Sequence, residues 1–215
     1  MVQVVTHPLV QSELTLLRRS DISPKSFRES LRRISIFLLY EFLRNAETSE
    51  VEIETPLERT GGHVLNGMTF VSILRAGIPV LDVALDMVPH SISGFVGIKR
   101  DENTLSPIVY YVNLPPNMGD TVVLDPMVAT AGTVMKTMEL VKERGGVPKG
   151  VISVICSRYA VRILTEKFPS LDIITAAIDE KLNDKGYIVP GLGDCGDRYY
   201  GNIKNQILKI KPACR

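Results

Sequence analysis

The stretch Thr121-Val122-Val123-Leu124-Asp125-Pro126-Met127-Val128-Ala129-Thr130-Ala131-Gly132-Thr133 decides the fold class of this 215-residue chain. It begins as an apolar, β-branched run, passes through small residues and threonines, and leads into an amphipathic segment carrying Val134, Met138 and Val141. A buried strand, a tight turn and a helix in this order predict one βα unit of a parallel sheet. The turn then lies at the carboxyl end of a strand, where such sheets bind ligands.

The same pattern recurs on both sides of this unit. Further apolar runs stand at 70–74, 93–98, 150–156 and 173–178, and helical stretches are predicted at 78–87, 131–144 and 158–168. Strands alternating with helices predict an α/β fold in which helices cover both faces of a parallel sheet. We expect a single domain spanning 1–215.

The N-terminal third is predicted to be helical and then to form a hairpin. Ser23 as N-cap and Pro24 in the first turn predict a helix over 23–46, and a shorter helix is predicted over 11–19. The alternating residues and glycine pair of 51–65 predict a β-hairpin arm.

Composition narrows the class of protein. Lys and Arg number 25 against 24 Asp and Glu, so the net charge of +1 gives no general attraction to nucleic acid or to an anionic membrane. The three cysteines have no C-x-x-C spacing, which predicts reduced thiols in a cytoplasmic protein. No secretory signal pattern is seen, and no apolar run approaches the length of a membrane span.

The turn after Asp125 is a candidate phosphate site. Backbone N–H groups at a helix N-terminus attract anions, and the hydroxyls of Thr130 and Thr133 add donors. From these residues alone, an ordinary βα turn with a threonine cap is an equally good interpretation. A P-loop nucleotide-binding protein is disfavoured, because the sequence lacks G-x-x-x-x-G-K-[ST].

A second motif, Gly191-Leu192-Gly193-Asp194-Cys195-Gly196, has the letters of the dinucleotide fingerprint G-x-G-x-x-G. That fingerprint requires a strand before it and a helix and second strand after it. Pro190 stands before it here, and too few residues follow Gly196 to complete the unit. We therefore do not expect an oxidoreductase of the Rossmann type.

Several segments together resemble one family. The stretch from Val122 to Thr133 resembles the 5-phosphoribosyl-1-pyrophosphate (PRPP) motif of type I phosphoribosyltransferases. "ILRAG" (73–77) is similar to the pyrophosphate loop of that family, and "KRDENTLSP" (99–107) to its mobile loop. The Asp125-Pro126 pair and "DEKLNDKGYIVPGLGDCGDRYYG" (179–201) resemble the uracil phosphoribosyltransferase branch. The resemblance covers nearly the whole chain, and it implies a type I fold with a C-terminal hood over 179–201.

The resemblance implies pyrimidine salvage, in which uracil and PRPP give UMP and pyrophosphate. It implies Mg²⁺ held mainly by PRPP and water rather than by a protein metal site. Arg75, Arg100 and Asp194 are the implied catalytic residues. These three are also implied to bind PRPP, together with Asp125, Pro126, Met127, Val128, Ala129, Thr130, Ala131, Gly132 and Thr133.

The implied uracil-binding positions are Ile188, Gly193, Asp194 and Cys195, where backbone groups would read the edge of the base. Cys195 stands where the family usually has alanine, and Ala131 where it usually has glycine. The resemblance also implies a cis peptide bond between Arg75 and Ala76. No side chain is identified as a general base for uracil N1.

Other functions and partners stay open on the sequence. One alternative is an RNA-binding attenuation regulator of pyrimidine operons with the same fold, which the balanced charge disfavours. Another is a transferase for adenine, hypoxanthine or orotate, which the 179–201 segment disfavours. GTP or CTP is a candidate effector through Arg28, Arg32 and Arg33, and the arm favours a homodimer or homotetramer.

Overall fold

A computed structural model describes residues 1–100 and 107–201, with Arg100 described by its backbone alone. The strands are β1 (Val2–Val4), β2 (Thr48–Glu54), β3 (Arg59–Leu65), β4 (Thr69–Leu74), β5 (Ile92–Arg100), β6 (Pro107–Asn113), β7 (Gly119–Leu124), β8 (Met127–Val128), β9 (Gly146–Ser157), β10 (Asp172–Asp179), β11 (Lys181–Leu182) and β12 (Ile188–Val189). The helices are α1 (Pro8–Arg18), α2 (Pro24–Phe42), α3 (Ile78–Met87), α4 (Gly132–Glu143), α5 (Arg158–Lys167) and α6 (Cys195–Tyr200), and a 3-10 turn covers Leu43–Asn45.

Within the described ranges, eight strands form the main sheet. Their order is β1-β10-β9-β7-β4-β5-β6, and the short β8 pairs with β9. Every pairing is parallel except that of β5 with β6, which is antiparallel. This confirms the predicted α/β class with a mostly parallel sheet.

The two faces of the sheet carry separate apolar cores. Val122, Ile152 and Ile174 pack in one cluster with residues of α1, α2 and α3. Their sequence neighbours Val123, Val151 and Ile173 pack in a second cluster with α4 and α5. Successive side chains of a strand point to opposite faces, so central strands covered on both sides need the continuous apolar runs that the sequence shows.

The predicted strands are confirmed, but two strands at the edges of the sheet were missed. β1 is only three residues long, and β6 is largely exposed, so neither carries a continuous apolar run. Both ends of the segment 99–107, which resembles a mobile loop, belong to strands, because β5 continues through Arg100 and β6 starts at Pro107. Its residues 101–106 lie outside the described residues.

The helices are confirmed with shifted ends. The Ser23 side chain accepts a hydrogen bond from the Ser26 N–H, as an N-cap does, but the α-helix ends at Phe42 and a 3-10 turn follows. The helix predicted over 11–19 begins at Pro8, because His7 Nδ1 accepts from the Leu9 N–H and so caps it. Histidine is an uncommon N-cap, so the sequence pattern did not predict that the helix begins at Pro8. Among the described residues, no helix has the length and apolarity to cross a membrane.

The predicted arm is a hairpin of β2 and β3, paired from Thr48 opposite Leu65 to Glu54 opposite Arg59. It is longer than predicted at its N-terminal end. Leu57 at its tip is 95% exposed.

Two serines on central strands differ in hydrogen bonding and give a test of the core. The hydroxyl of Ser72 on β4 is fully buried and has no partner among the described residues, whereas Ser153 on β9 donates to the Ile155 carbonyl at 2.9 Å. An unpaired buried hydroxyl costs free energy, so we expect Ser72→Ala to raise the free energy of unfolding by about 1 kcal/mol.

Ser153→Ala is the matched control and should lower the same quantity by about 1 kcal/mol, because it removes a satisfied hydrogen bond. Urea unfolding followed by circular dichroism measures both variants. Equal destabilisation by the two substitutions would contradict the assignment of Ser72 as unpaired.

Candidate active site

The candidate site lies at the carboxyl edge of the sheet. β4 ends at Leu74, β7 at Leu124 and β10 at Asp179, and each is followed by a predicted functional segment. Parallel strands leave the sheet at the same edge, so these segments converge although they are far apart in sequence. The edge is where the fold brings the predicted residues together.

A cavity of about 750 Å³ opens at this edge. Segments from four parts of the chain line it together, two of them predicted from the sequence as a phosphate site and a base site. The lining comprises Ile73, Leu74, Ala76, Ile98, Asp125, Met127, Ala129, Thr133, Asp184, Lys185, Gly186, Tyr187, Ile188, Asp194, Cys195 and Gly196. Asp125 and Asp194, predicted from distant motifs, therefore share one cavity.

The turn after β7, residues 125–133 and called the phosphate turn below, is held by hydrogen bonds to its carbonyl groups. The Pro126 carbonyl accepts from the N–H groups of Val154 and Ile155, at 3.0 and 3.1 Å, and the Ala129 carbonyl accepts from the Ser157 hydroxyl. Asp125 is 8% exposed, and its Oδ1 accepts from the Met127 N–H at 3.3 Å. The acceptors of this turn thus bond to β9 and to the start of α5.

The nine predicted phosphate-turn residues divide into two groups. Asp125, Met127, Ala129 and Thr133 line the cavity, whereas Val128 and Ala131 are buried in the apolar cluster beneath α4. Pro126, Thr130 and Gly132 belong to the turn without lining the cavity.

The N-terminus of α4 is shaped for an anion. Ala131 is its N-cap residue and has no side-chain acceptor, so it cannot satisfy the N–H groups of the first turn. Twelve residues of helix place the positive end of the dipole at this point. Ala131 has φ of 65°, in the left-handed region where glycine is normally found, which accounts for the glycine usual at this position.

Arg75 follows β4 but is not among the residues that line the cavity. Its guanidinium lies 3.6 Å from the carboxylate of Asp197 and 5.6 Å from the ring centre of Tyr200, both on α6. The Tyr200 hydroxyl also donates to the Arg75 carbonyl at 3.3 Å. Arg75 is half-exposed and borders the cavity between two lining residues, Leu74 and Ala76. Of Arg100, the side chain lies outside the described residues.

The expected cis bond at Arg75-Ala76 is wrong by one position. The cis peptide bond joins Leu74 to Arg75. The turn that follows it is closed by the Gly77 N–H, which donates to the Ile73 carbonyl at 2.9 Å.

The base-site segment, residues 188–195, contains the four predicted uracil-binding positions and is a turn that leads into α6. Gly191 has φ of 61°, and a Cβ there would lie 2.1 Å from the Ile188 carbonyl oxygen. Only glycine fits such a turn. Ile188 and Cys195 are buried, and both line the cavity with Asp194, while Gly193 lies within the turn, outside the lining. Asp194 is the N-cap of α6, and its Oδ1 accepts from the Asp197 N–H at 2.9 Å.

A small hairpin that the sequence analysis missed forms one wall of the cavity. β11 pairs with β12, and the Asn183 side chain accepts from the N–H groups of Lys185 and Tyr187 at 3.0 and 2.9 Å. This turn carries the lining residues Asp184, Lys185 and Gly186. The signal was present as Asn-Asp-Lys-Gly between apolar residues, a typical turn composition.

The thiol of Cys195 is not suited to act as a nucleophile. Burial raises its pKa strongly, and the negative charges of Asp125 and Asp194 raise it further. A thiol in such surroundings stays protonated near neutral pH, whereas nucleophilic cysteines are thiolates. Cys195 is therefore a small apolar wall residue of the cavity.

The arrangement suits a phosphorylated ligand with a flat polar group. It offers a helix N-terminus, an arginine at the rim, three lining aspartates and the turn that leads into α6. Among residues 1–100 and 107–201, no three His, Cys, Asp or Glu side chains cluster as a metal site. The carboxylates of Asp125 and Asp194 are oxygen donors of the kind that Mg²⁺ accepts, and they fit an ion that takes its other ligands from a substrate.

Comparison with known proteins gives the family to which this chain is similar. The family model described as uracil phosphoribosyltransferase matches residues 4–202. A uracil phosphoribosyltransferase from Dictyoglomus turgidum is 46% identical over 205 residues, covering 94% of this chain and 99% of that protein.

Two solved structures are similar in fold. A protein from Aquifex aeolicus superposes with a TM-score of 0.88 at 37% identity, over 94% of this chain and 98% of that one. An adenine phosphoribosyltransferase from Leishmania tarentolae gives a TM-score of 0.55 at 15% identity, over 82% of this chain and 90% of that one. At that identity the second likeness concerns the fold alone, and it agrees with the expected type I phosphoribosyltransferase architecture.

Proposed function

This chain belongs to the uracil phosphoribosyltransferase family, and we propose that it transfers the 5-phosphoribosyl group of PRPP to N1 of uracil, giving UMP and pyrophosphate. The observation that carries the proposal is the single cavity lined by both the phosphate turn and the base-site segment. A transferase must hold its two substrates in contact, and one cavity with an anion end and a base end meets that requirement.

For PRPP, we propose that the 5-phosphate binds the N–H groups at the start of α4, where Ala131 leaves them uncapped. Asp125, at the end of β7, would accept hydrogen bonds from the ribose hydroxyls. The remaining residues of the turn, Pro126 to Thr133, would shape the phosphate pocket. The carbonyl oxygens of Pro126 and Ala129 are engaged by hydrogen bonds from β9, so these acceptor atoms would not face the phosphate.

For the pyrophosphate, we propose Arg75 as a cationic partner. The guanidinium of arginine can bind two phosphate oxygens at once, and Arg75 lies at the rim with its charge only weakly engaged, 3.6 Å from Asp197. Arg100 is proposed as a second cation. Positive charge here stabilises the negative charge that builds up as pyrophosphate leaves.

We propose that Mg²⁺ accompanies PRPP, with Asp125 and Asp194 as the nearest protein carboxylates to it. When bound, the ion would neutralise pyrophosphate charge. The rest of the ligand set would come from PRPP and water, which is the usual way in which Mg²⁺ binds substrate phosphates.

For uracil, we propose recognition by backbone groups of the base-site segment. The Ile188 carbonyl would accept the N3–H of the base, and N–H groups at Gly193 and Cys195 would donate to its oxygens. Asp194, between them, would contact PRPP. Cytosine has its donor and acceptor exchanged at N3 and C4, so it would leave buried groups unpaired at a cost of about 1–3 kcal/mol for each.

The direct test is incubation with PRPP, Mg²⁺ and uracil, followed by chromatography for UMP. We expect UMP from the wild type and a fall in kcat/KM of about 100-fold or more in Arg75→Ala, since a cation on the leaving group is lost. Asp194→Asn should also reduce kcat/KM, and because asparagine is an equally good N-cap, that loss reports the charge rather than the helix.

Arg44→Ala is a matched control for Arg75→Ala. Arg44 likewise contacts one carboxylate, Glu41 at 2.8 Å, and one tyrosine ring, Tyr40 at 5.9 Å. Neither neighbour of Arg44 in the sequence lines the cavity, whereas both neighbours of Arg75 do. Activity of this variant should match the wild type. Absence of UMP with the wild-type protein, or an equal loss in both arginine variants, would overturn the proposal.

We propose that the chain assembles as a homodimer or homotetramer through the β2–β3 arm. Ile53, Leu57 and Val64 on this arm are 44%, 95% and 40% exposed, so the arm presents apolar side chains that a second copy of the chain would cover. We expect analytical ultracentrifugation to give at least the mass of a dimer at micromolar concentration. A monomer under those conditions would rule the assembly out.

We propose GTP or CTP as an effector that binds near α2 only by displacing existing contacts. Arg28 donates to the Tyr199 carbonyl, Arg32 to Asp86 at 2.8 Å and Arg33 to Glu13 at 2.6 Å. Exposed contacts of this kind contribute little free energy, so exchanging them for contacts to a nucleotide should change the enzyme only slightly. We therefore expect a change in the initial rate of about two- to fivefold at millimolar nucleotide. Identical rates with and without each nucleotide would dismiss it.

The cytoplasmic location is proposed from cysteine chemistry. Cys156 and Cys195 are buried free thiols, and burial raises the pKa of Cys156 to about 11. Localisation of a tagged protein to a secreted fraction would contradict this.

A further inference from the structure

An ion pair outside the cavity lining joins α1 to the end of β10. Arg18, the last residue of α1, donates from Nη1 to Asp179 Oδ2 at 2.8 Å and from Nη2 to Asp179 Oδ1 at 2.7 Å. The side chain of Asp179 is 7% exposed and that of Arg18 is 24% exposed. The two partners are 161 residues apart in sequence. This is the bidentate geometry in which arginine binds a carboxylate most strongly.

The same ion pair holds both polar groups of the Gly191 residue. The Gly191 N–H donates to Asp179 Oδ2 at 3.0 Å, and the Gly191 carbonyl accepts from Arg18 Nη1 at 3.0 Å. Gly191 is the turn residue of the base-site segment that has a φ of 61°. The orientation of the chain at this turn therefore depends on two side chains that do not line the cavity.

The next carbonyl is held in a similar way. Arg198 Nη1 donates to the carbonyls of Leu192 and Leu17, and Nη2 donates to the carbonyl of Arg19. Its guanidinium also lies 4.5 Å from the ring centre of Phe27. Leu17 and Arg19 belong to the C-terminal end of α1, where helix carbonyls have no partner within the helix. The end of α1 is thus joined to the base-site segment through two arginines.

These contacts turn two successive carbonyls, those of Gly191 and Leu192, toward α1. Consecutive peptide planes share only two free dihedral angles per residue, so this restricts the directions of the next N–H groups, including that of Gly193. The phosphate turn, by contrast, is held by β9 and the start of α5. The two ends of the cavity are therefore positioned by different sets of contacts.

We propose that Arg18 and Asp179 are positioning residues for recognition of the base, acting through Gly191 on the backbone groups that bind uracil. This rests on the proposed function, since the base is uracil only if that function holds. Breaking the pair frees the turn at Gly191 and leaves the phosphate turn unchanged. Asp194, the residue of the base-site segment proposed to contact PRPP, is held separately as the N-cap of α6, where its Oδ1 accepts from the Asp197 N–H at 2.9 Å. The loss should therefore fall mainly on uracil rather than on PRPP.

The experiment compares Asp179→Asn with the wild type in steady-state assays with each substrate varied in turn. We expect KM for uracil to rise about tenfold or more, because the partly buried charge of Arg18 loses its partner and the Gly191 turn loosens. KM for PRPP should stay within about twofold. An unchanged KM for uracil, or an equal rise for both substrates, would overturn the proposal.

Two further variants separate positioning from stability. Arg18→Lys keeps the charge but not the paired geometry, so it should fold and show a smaller rise in KM for uracil in the same direction. Asp21→Asn is the matched control, for Asp21 pairs with Arg19 at 2.6 Å in an exposed ion pair next to α1. It should leave both KM values at wild-type level.

Hydrogen exchange provides a readout that does not depend on activity. Peptides covering 188–193 should exchange faster in Asp179→Asn and Arg18→Lys than in the wild type, with peptides covering 126–133 unchanged. If the wild type makes no UMP, the proposed function fails while the exchange result still decides whether the ion pair orders this turn. Unchanged exchange at 188–193 would refute the role of the pair.

Discussion

Burial of the central strands on both faces is the constraint on which the rest of this structure depends. β4, β7, β9 and β10 can satisfy their backbone groups only by pairing with one another, because apolar helices cover both sides of them. Because these strands are parallel, their carboxyl ends all lie at the same edge of the sheet. The residues that follow Leu74, Leu124 and Asp179 must therefore meet there, and the cavity is a consequence of that meeting.

The loops at this edge divide their polar groups between structure and binding. In the phosphate turn, the carbonyls of Pro126 and Ala129 bond to neighbouring elements. In the base-site segment, the carbonyls of Gly191 and Leu192 bond to arginines. Buried backbone groups need partners, and this scheme uses acceptors to anchor the loops. It leaves backbone N–H groups at the start of α4 for a ligand, which suits phosphate oxygens.

Prediction from the sequence succeeded where the signal was local. Continuous apolar runs located the central strands, and Ser23 with Pro24 located the start of α2, because these patterns arise from neighbouring residues. β6 and β1 were missed, since edge strands need no continuous apolar run. The start of α1 was missed because a histidine provides the cap. The motifs of Asp125 and Asp194 lie far apart in the sequence, and only the family resemblance implied that both bind PRPP. The fold shows that both line one cavity.

The Arg18–Asp179 contact is a further feature that local sequence patterns could not predict. Asp179 opens the 179–201 segment, but Arg18 belongs to no motif identified in the sequence, and 161 residues separate the two, so nothing in the sequence pairs them. A buried ion pair adds little net stability, because desolvation of both charges offsets their attraction. Such a pair is better explained by the geometry it enforces than by the free energy it supplies. Here that geometry is the direction of the Gly191 peptide groups, which no apolar pair of side chains could hold.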